Sequence, residues 1–297
     1  MSVSFADNLP TPPSPSEEKT EPKVSAPHPN LPLNDGKFHL LLAASGSVAS
    51  IKIPLIVEKL YRIYEPSRIS IQIVVTSSAE RFLPAADKPL PAAIRLWRDS
   101  DEWTTWGDRS DPIVHIELRR WAHLLLIAPL SANTLAKISG GLCDNLLTSA
   151  VRAWNPAVPI LLAPAMNTYM YNNPITKRQL RLISDEMPWI EVLKPVEKVL
   201  ACGDIGMGGM REWSDIVEIV VSRFPPSSFP RKSELQPLVD ENGLTHEKQH
   251  RNHPPTGAAG ELTGHIRFED ELEAESNASE TGSEGRPHPF KESHTSG

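Results

Sequence analysis

This sequence has few cysteines, no long apolar run and no excess of positive charge. Its 297 residues include two cysteines, Cys143 and Cys202, which are too few for a disulfide framework and suit a reducing compartment. No run approaches the roughly 20 apolar residues of a membrane span, and no secretory signal is visible at the N-terminus. The net charge of −7 argues against general nucleic-acid binding. We therefore expect a cytoplasmic protein that binds neither membranes nor nucleic acids, and we predict no metal site.

Proline, by contrast, is abundant and is concentrated at both ends of the chain. Sixteen of the 29 prolines lie, with many serine and charged residues, in residues 1–36 and 225–297. These segments have too little apolar surface to offset the entropy lost on ordering, so we predict two disordered tails. Residues 37–224 have regular apolar runs and are numerous enough for one core, so we predict a single domain there.

Apolar runs alternate with amphipathic stretches along residues 37–224. The run at 38–44 is nearly continuous, which is typical of a strand buried on both faces. Further strands are predicted at 69–75, 92–97, 124–128, 159–163 and 190–193. Helices are predicted at 47–64, 115–121, 133–139, 144–153, 175–186 and 214–223. This alternation predicts a three-layer α/β fold with a doubly wound parallel sheet, whose ligands bind at the carboxyl ends of the strands.

Small and hydroxyl-bearing residues follow the first two predicted strands. Residues 46–48 (Gly-Ser-Val) leave backbone N–H groups at a helix N-terminus, where the helix dipole favours an anion. Residues 76–78 (Thr-Ser-Ser) stand where a dinucleotide site would place Asp or Glu, and their hydroxyls suit a phosphate instead. The pattern favours a mononucleotide over NAD. A tight turn capped by Ser47, and simple helix capping by Ser77 or Ser78, remain the alternatives.

The loops after the fourth and fifth predicted strands are also unusual. Residues 128–134 (APLSANT) end a strand with proline and open a helix with small polar residues. Such a loop lets a flat ring lie close to the backbone and offers amide and hydroxyl partners to the edge of the ring. An ordinary capped strand–helix loop is the alternative. Residues 163–167 (APAMN) follow the fifth strand.

Five motifs resemble those of the phosphopantothenoylcysteine decarboxylases, in the wider family of flavin-containing cysteine decarboxylases. In chain order they are HIELRRW at 115–121, APLSANT at 128–134, GGLCDNLL at 140–147, PAMN at 164–167 and LACGD at 200–204. The resemblance covers about residues 37–224 and leaves both tails outside. It implies a flavodoxin-like, Rossmann-like fold, FMN as the cofactor, and homotrimers with each flavin near a protomer interface.

The resemblance also implies roles for individual residues. The residues expected around FMN are Gly46, Ser47, Val48, Thr76, Ser77, Ser78, Ser131, Ala132, Asn133, Thr134 and Ala165. His115 and Cys202 match the catalytic histidine and cysteine of the family, and Asn167 matches its substrate-binding asparagine. Substrate binding is also assigned to Arg120, expected near the trimer interface, and to Gly203 and Met207.

Taken singly, these residues have plainer interpretations. His115 and Asn167 would each suit a helix cap, and Cys202 would suit a packed thiol. Cys143 is expected to be structural and buried, as cysteine often is. The three catalytic residue types at their expected places in one chain favour the enzymatic interpretation.

The implied reaction is decarboxylation of 4′-phosphopantothenoylcysteine to 4′-phosphopantetheine in coenzyme A biosynthesis. In the family, oxidation of the substrate thiol to a thioaldehyde provides the electron sink for loss of CO2, and the resulting enethiol is then reduced. A histidine such as His115 exchanges protons near neutral pH. The amide of Asn167 can hold the substrate without adding charge, and Cys202 can donate the last proton.

One segment departs from the family pattern. Residues 206–212 read GMGGMRE, so Arg211 stands where the family usually has a small residue. The glycines are compatible with a mobile lid over the flavin.

Two other functions were weighed. Relatives in a fungal halotolerance branch regulate a protein phosphatase, and the acidic run at residues 268–275 would suit a basic partner surface. A solvated tail is the simpler interpretation of that run. A flavin-binding electron-transfer protein would need neither Cys202 nor Asn167.

Overall fold

A computed structural model describes residues 31–86, 88–91, 94–106, 108–199, 203 and 205–229 of the chain. The strands in these ranges are β1 Phe38–Ala44, β2 Ile69–Val75, β3 Leu96–Trp97, β4 Leu124–Leu130, β5 Ile160–Pro164, β6 Ile190–Val192, β7 Val196–Val199 and β8 Ile205–Gly209. The α-helices are α1 Ile53–Tyr64, α2 Ser77–Glu80, α3 Asp99–Thr104, α4 Val114–Trp121, α5 Ala132–Gly140, α6 Leu146–Arg152, α7 Thr168–Asn172, α8 Pro174–Glu186 and α9 Trp213–Arg223. Short 3-10 turns lie at Val48–Lys52, Leu83–Ala85 and Pro226–Ser228.

Six strands form one parallel sheet in the order β3-β2-β1-β4-β5-β6. Every residue of β1, β4 and β5 is buried, which explains why these strands have almost unbroken apolar sequences. The strand order reverses between β1 and β4, so the crossover connections leave these two central strands in opposite directions. The predicted α/β class with a doubly wound parallel sheet is confirmed.

The hydrophobic core has two halves, one on each face of this sheet. Alternate side chains of β1 enter different halves: Leu40 and Leu42 pack with residues of α1 and α9. Leu41 and Ala43 pack with residues of α4, α5, α6 and α8. Because strand side chains alternate between faces, a central strand supports both helical layers at once. The three-layer arrangement is therefore confirmed as well.

Several short elements were not predicted. The helices α2, α3 and α7 have six residues or fewer, which is too short for a helical apolar period to emerge. The third strand was expected over 92–97, and Leu96–Trp97 forms a two-residue strand. Strands β7 and β8 form a separate antiparallel hairpin, for which the glycine-rich sequence gave no strand signal.

The expectation for Cys143 is wrong. This cysteine is exposed and free, in the loop between α5 and α6. Gly141 ends α5 in the left-handed conformation, with φ 69°, and turns the chain outward before Cys143 is reached. The leucines of the GGLCDNLL motif that are buried are Leu146 and Leu147, at the start of α6.

Residues just beyond the predicted domain boundaries at 37 and 224 also pack against the domain. Asp35 accepts a hydrogen bond from the ring of His39, whose Nε2 lies 2.8 Å from Oδ1. The ring of Phe229 lies 5.3 Å from that of Phe38. Residues 1–30 and 230–297, with the acidic run at 268–275, lie outside the described residues. Within the described ranges, no helix has the length and apolar character needed to cross a membrane.

A stack of rings closes the end of the sheet opposite the strand carboxyl ends. The His39 ring stacks on Trp121 and on His123, with centroids 4.6 and 4.7 Å apart. Nδ1 of His123 accepts the backbone N–H of His39 at 3.1 Å, so this nitrogen must be unprotonated for the bond to form. The contact between His39 and His123 therefore requires the neutral form of His123.

His123 predicts a loss of stability in mild acid. Its burial, with a smaller contribution from His39, lowers the pKa of His123 from 6.5 to about 4, although Asp35 opposes the shift. Between these values the unfolded chain binds a proton that the folded chain does not bind. The free energy of unfolding therefore falls as the pH drops from about 7 to 4, by up to about 3 kcal/mol. Thermal melting at pH 7 and pH 5 measures this effect.

His123→Asn is the matched control, because its amide oxygen can still accept the His39 N–H but does not titrate. We expect its melting temperature to fall less between pH 7 and pH 5 than that of the unsubstituted chain. Equal falls in both proteins would assign the acid sensitivity to other groups.

Candidate active site

A cavity of about 690 Å³ opens at the carboxyl ends of β1, β2, β4 and β5. It lies at the reversal of strand order, where doubly wound sheets bind their ligands. The structure places around it all eleven residues that the resemblance assigns to the cofactor, and Asn167 with them: Gly46, Ser47, Val48, Thr76, Ser77, Ser78, Ser131, Ala132, Asn133, Thr134 and Ala165. Their roles stay a prediction, but their convergence on one cavity is a property of the fold.

The loops after β1 and β2 touch each other at one wall of the cavity. A Cβ placed on Gly46 would lie 2.7 Å from the Cβ of Ser78, so only glycine allows this approach. Ser47 caps the turn Val48–Lys52, as one alternative held, and Thr76 rather than Ser77 or Ser78 caps α2. A hydroxyl that accepts a backbone N–H in a cap still has its own hydrogen to donate. Capping and anion binding are therefore compatible here.

A buried serine joins the loops after β1 and β4. Ser45 Oγ donates to the carbonyl of Pro129 at 3.1 Å and accepts the backbone N–H of Ser131 at 2.7 Å. Ser131 in turn caps α5 by accepting from the N–H of Thr134. The sequence analysis did not single out Ser45, because its partners are 84 and 86 residues away.

The loop that carries Asn167 is covered by the β7–β8 hairpin. Asn167 caps α7, accepting the N–H of Tyr169 at 2.8 Å, so the capping alternative is correct as far as it goes. The Met166 N–H donates to the carbonyl of Gly208 at 2.9 Å. Gly208 is the extra residue of a bulge, since Val196 pairs with Gly209 and Glu197 with Met207. A Cβ on Gly208 would lie 2.6 Å from the Met166 carbonyl oxygen.

Three other residues assigned to catalysis or substrate binding come from the sequence between β7 and the end of β8, and the described ones do not line the cavity. Cys202 comes between β7 and β8 in the sequence and lies outside the described residues. Gly203 and Met207 are described, but neither is among the residues that line the cavity. The side chain of Met207 is partly buried against the core on the α4 side of the sheet.

His115 and Arg120 do not reach the cavity within one chain. His115 begins α4, where its Nδ1 lies 2.5 Å from Glu102 Oε1 and its backbone N–H donates to Glu102 Oε2. Arg120 is exposed, pairs with Glu117 at 3.1 Å and lines a separate shallow groove on the surface of α4. Neither residue is among those that line the main cavity.

The cavity also contains charged residues that the sequence analysis did not assign. Asp99, on the unpredicted α3, accepts the N–H of Leu146 at 3.0 Å. Burial is the main cause that raises the pKa of Asp99 above its usual value, and Asp144 adds to it while the Leu146 hydrogen bond opposes it. The cations on the wall are Lys52, Lys137, Lys198 and Arg211. Their positions depend on tertiary packing, which a single sequence does not reveal.

Comparison with known proteins assigns the fold to a family. Residues 29–225 match the model of the Flavoprotein family, which is about two thirds of the chain. The chain belongs to the Flavoprotein family. Over 199 residues the chain is 57% identical to the protein SIS2 of Candida tropicalis. The aligned region covers 66% of this chain and 38% of that protein. The chain spans about two fifths of the length of the curated yeast relatives it matches.

Two solved structures of flavoproteins resemble this one closely. One is a cysteine-to-serine mutant of PPC decarboxylase complexed with pantothenoylaminoethenethiol, with a TM-score of 0.58 and 48% identity. The superposed region covers 63% of this chain and 98% of the chain in that structure. The other is the FMN-binding protein AtHal3, with a TM-score of 0.55, 49% identity and coverage of 64% and 98%. Almost the whole of each of these proteins thus corresponds to the described part of this chain.

The bulge at Gly208 predicts a specific effect of substitution. Gly208→Ala adds a methyl group 2.6 Å from the Met166 carbonyl oxygen and forces alanine to a φ of 123°. We expect the Met166–Gly208 hydrogen bond to break, so that the Met166 amide exchanges its proton about tenfold faster, as the loss of one such bond allows. Hydrogen–deuterium exchange of the peptide containing Met166 measures the change.

Gly140→Ala is the control, since a Cβ there meets nothing within 4 Å. Exchange at Met166 should be unaltered in this variant. Unaltered exchange in Gly208→Ala as well would show that the hairpin does not hold the Asn167 loop.

Proposed function

We propose that this chain is a cytoplasmic FMN enzyme that decarboxylates 4′-phosphopantothenoylcysteine to 4′-phosphopantetheine in coenzyme A biosynthesis. The observation that carries the proposal is the convergence of four separate loops, those after β1, β2, β4 and β5, on one cavity together with Asn167. Similarity to a PPC decarboxylase and to an FMN-binding protein supports the choice of substrate and cofactor.

The residues present fit FMN. A cavity of about 690 Å³ lies within the range of small-molecule sites, roughly 300–1,000 Å³. Hydroxyls of Ser47 and Thr76 stand beside backbone N–H groups at the start of the following turns, which suits a phosphate. The close approach of Gly46 to Ser78 brings both loops to the same point. Ser131, Asn133 and Thr134 offer polar partners for the edge of a flat ring.

The protein residues bind the substrate and move protons. Bound FMN would supply the redox chemistry, accepting two electrons from the substrate thiol and later returning them. The carboxamide of Asn167 would hold the substrate, because an amide both donates and accepts without adding charge. Cys202 would deliver the proton that completes the reduced product. It precedes Gly206 by four positions in the sequence, and Gly206 and Gly208 of β8 contact the loop that carries Asn167. No net oxidation results: the substrate loses CO2 and regains its thiol.

Glu102 prepares His115 for proton transfer. Its carboxylate accepts from Nδ1 of His115 at 2.5 Å, so the Nδ1 atom carries a hydrogen and Nε2 is left as the basic nitrogen. The same carboxylate accepts the His115 backbone N–H, which fixes the ring at the start of α4. This arrangement of carboxylate, imidazole and reacting atom is typical of general-base sites.

A homotrimer would bring His115 and Asn167 to one ligand. Exposed apolar side chains flank each residue: Trp103, Trp106 and Ile113 beside His115, and Tyr169, Met170 and Ile175 beside Asn167. Trp103 is 78% exposed and Tyr169 is 80% exposed, which is unusual for large rings on a monomer surface. Because the two patches differ, their contact would be heterologous, and a rotation of one third of a turn between neighbours would close it into a trimer.

Turnover by the purified chain and by Cys202→Ser tests this function. The unsubstituted chain should show a flavin spectrum, release CO2 from 4′-phosphopantothenoylcysteine and yield 4′-phosphopantetheine by mass. Cys202→Ser should still release CO2 but accumulate the enethiol, because serine is a much weaker acid than cysteine. Normal product from the variant would remove Cys202 from the mechanism. Flavin without any turnover by the unsubstituted chain would favour the phosphatase-regulating alternative.

His115→Asn tests the shared site. The variant should bind FMN with an unaltered visible spectrum yet lack CO2 release, since asparagine cannot act as the base. Asn167→Ala should be equally inactive for lack of substrate binding. Co-expression of the two variants should restore measurable turnover, because some interfaces then pair an intact His115 with an intact Asn167. Failure to restore turnover while both variants remain trimeric would place both residues in one protomer's site.

A further inference from the structure

Arg211 lies in the wall of the cavity, and its guanidinium makes no hydrogen bond to a described residue. It stands between β8 and α9 and lines the cavity beside Met210 and Glu212. Its Nε is buried and makes no hydrogen bond to any described residue. Oδ2 of Asp215 lies 3.9 Å from Nε, which is an ion-pair contact but is beyond hydrogen-bond range. A buried donor without an acceptor is costly, so a ligand oxygen at this place would be favoured.

One side chain contacts both neighbours of Arg211, the backbone of Met210 and the carboxylate of Glu212. Lys198, on β7, donates from Nζ to the carbonyl of Met210 at 2.9 Å and to Glu212 Oε1 at 3.2 Å. Met210 is itself buried in the core on the α9 side of the sheet. The backbone next to Arg211 is therefore held on one side, at Met210, by core packing and by the hydrogen bond from Lys198.

The other cations of the cavity differ from Arg211 either in their hydrogen-bonded partners or in the geometry of their donors. Lys137 pairs with Asp144, with Nζ 2.7 and 2.8 Å from the two carboxylate oxygens. Lys198 is engaged as just described. Lys52 also lines the cavity and makes no hydrogen bond or ion pair to a described residue. Its ammonium group, however, is a point charge without a fixed arrangement of donors. Arginine presents a planar fork of donors that matches the oxygens of a phosphate.

We propose that Arg211 binds the phosphate monoester of a ligand in this cavity. The inference rests on the proposed function, which supplies two such ligands, FMN and the 4′-phosphorylated substrate. The chemistry is the same for both: a dianionic phosphate accepts two parallel N–H hydrogen bonds from the guanidinium and neutralises its charge. Arg211 is thus a specificity-determining residue, which favours the phosphorylated form of that ligand over the unphosphorylated form.

Two pairs of probes identify which phosphate is bound, and neither requires turnover. The first pair is FMN and riboflavin, whose affinities for the apoprotein are measured by flavin fluorescence quenching. The second is 4′-phosphopantetheine and pantetheine, measured by calorimetry with the FMN-loaded protein. Arg211→Ala should weaken binding of the phosphorylated member of one pair about ten- to one-hundredfold, as loss of a charge-assisted bond implies, and leave the unphosphorylated member unaltered.

Two further variants control for charge and geometry. Arg211→Lys keeps the charge but not the fork and should recover part of the lost affinity. Arg62→Ala removes an equal charge from the exposed face of α1, where Arg62 pairs with Glu58, and should alter neither pair of affinities. A loss in the FMN arm assigns the flavin phosphate, and a loss in the phosphopantetheine arm assigns the substrate phosphate.

Equal affinities of Arg211→Ala and the unsubstituted chain for all four probes would overturn the proposal. So would an equal loss for the phosphorylated and unphosphorylated members of both pairs, which would indicate disturbed packing. These results are separable from failure of the proposed function. A chain that does not release CO2, but whose preference for FMN over riboflavin depends on Arg211, would refute the decarboxylase and retain the phosphate site.

Discussion

The adjacency of β1 and β4 at the centre of the sheet is the constraint from which the cavity follows. Both strands are buried along their whole length, so each must be covered by helices on both faces. The chain leaves β1 toward β2 and leaves β4 toward β5, and the two connections separate above the strand ends. Ser45 spans the gap by bonding to Pro129 and Ser131. The crevice is therefore a consequence of strand order, and one buried hydroxyl joins its two sides.

The β7–β8 hairpin adds a second wall that the sheet does not provide. Its bulge at Gly208 is bonded to Met166, next to Asn167, and Lys198 on its other strand holds the residues beside Arg211. The loop of Asn167 and the residue before Arg211 are thus both held by one small structural unit. The glycines that suggested a lid in the sequence are required here by contact, since a Cβ on Gly208 would meet the Asn167 loop.

Sequence patterns predicted the fold and the loops well because both follow from burial. Strands such as β1 are covered on both faces, so their apolar runs are unmistakable, and the loop after each strand must lie at the same sheet edge. Residues 46–48 and 131–134 were found in this way. Asp99, Lys198 and Arg211 reach the cavity from elements too short, or too rich in glycine, to show a period. Cys143 misled because burial was inferred from residue type, whereas Gly141 turns its loop outward.

The separation of His115 from the cavity gives assembly a chemical meaning under the proposed function. One chain offers the substrate amide at Asn167 and, on another face, an imidazole already oriented by Glu102. Each face is surrounded by exposed rings, Trp103 on one and Tyr169 on the other, whose burial is favourable at about 25 cal/mol per Å². The hydrophobic gain of association would thus also bring base and substrate together. Under that proposal, assembly and formation of the active site would be one equilibrium, because the apolar surface that would drive assembly borders the groups proposed to carry out catalysis.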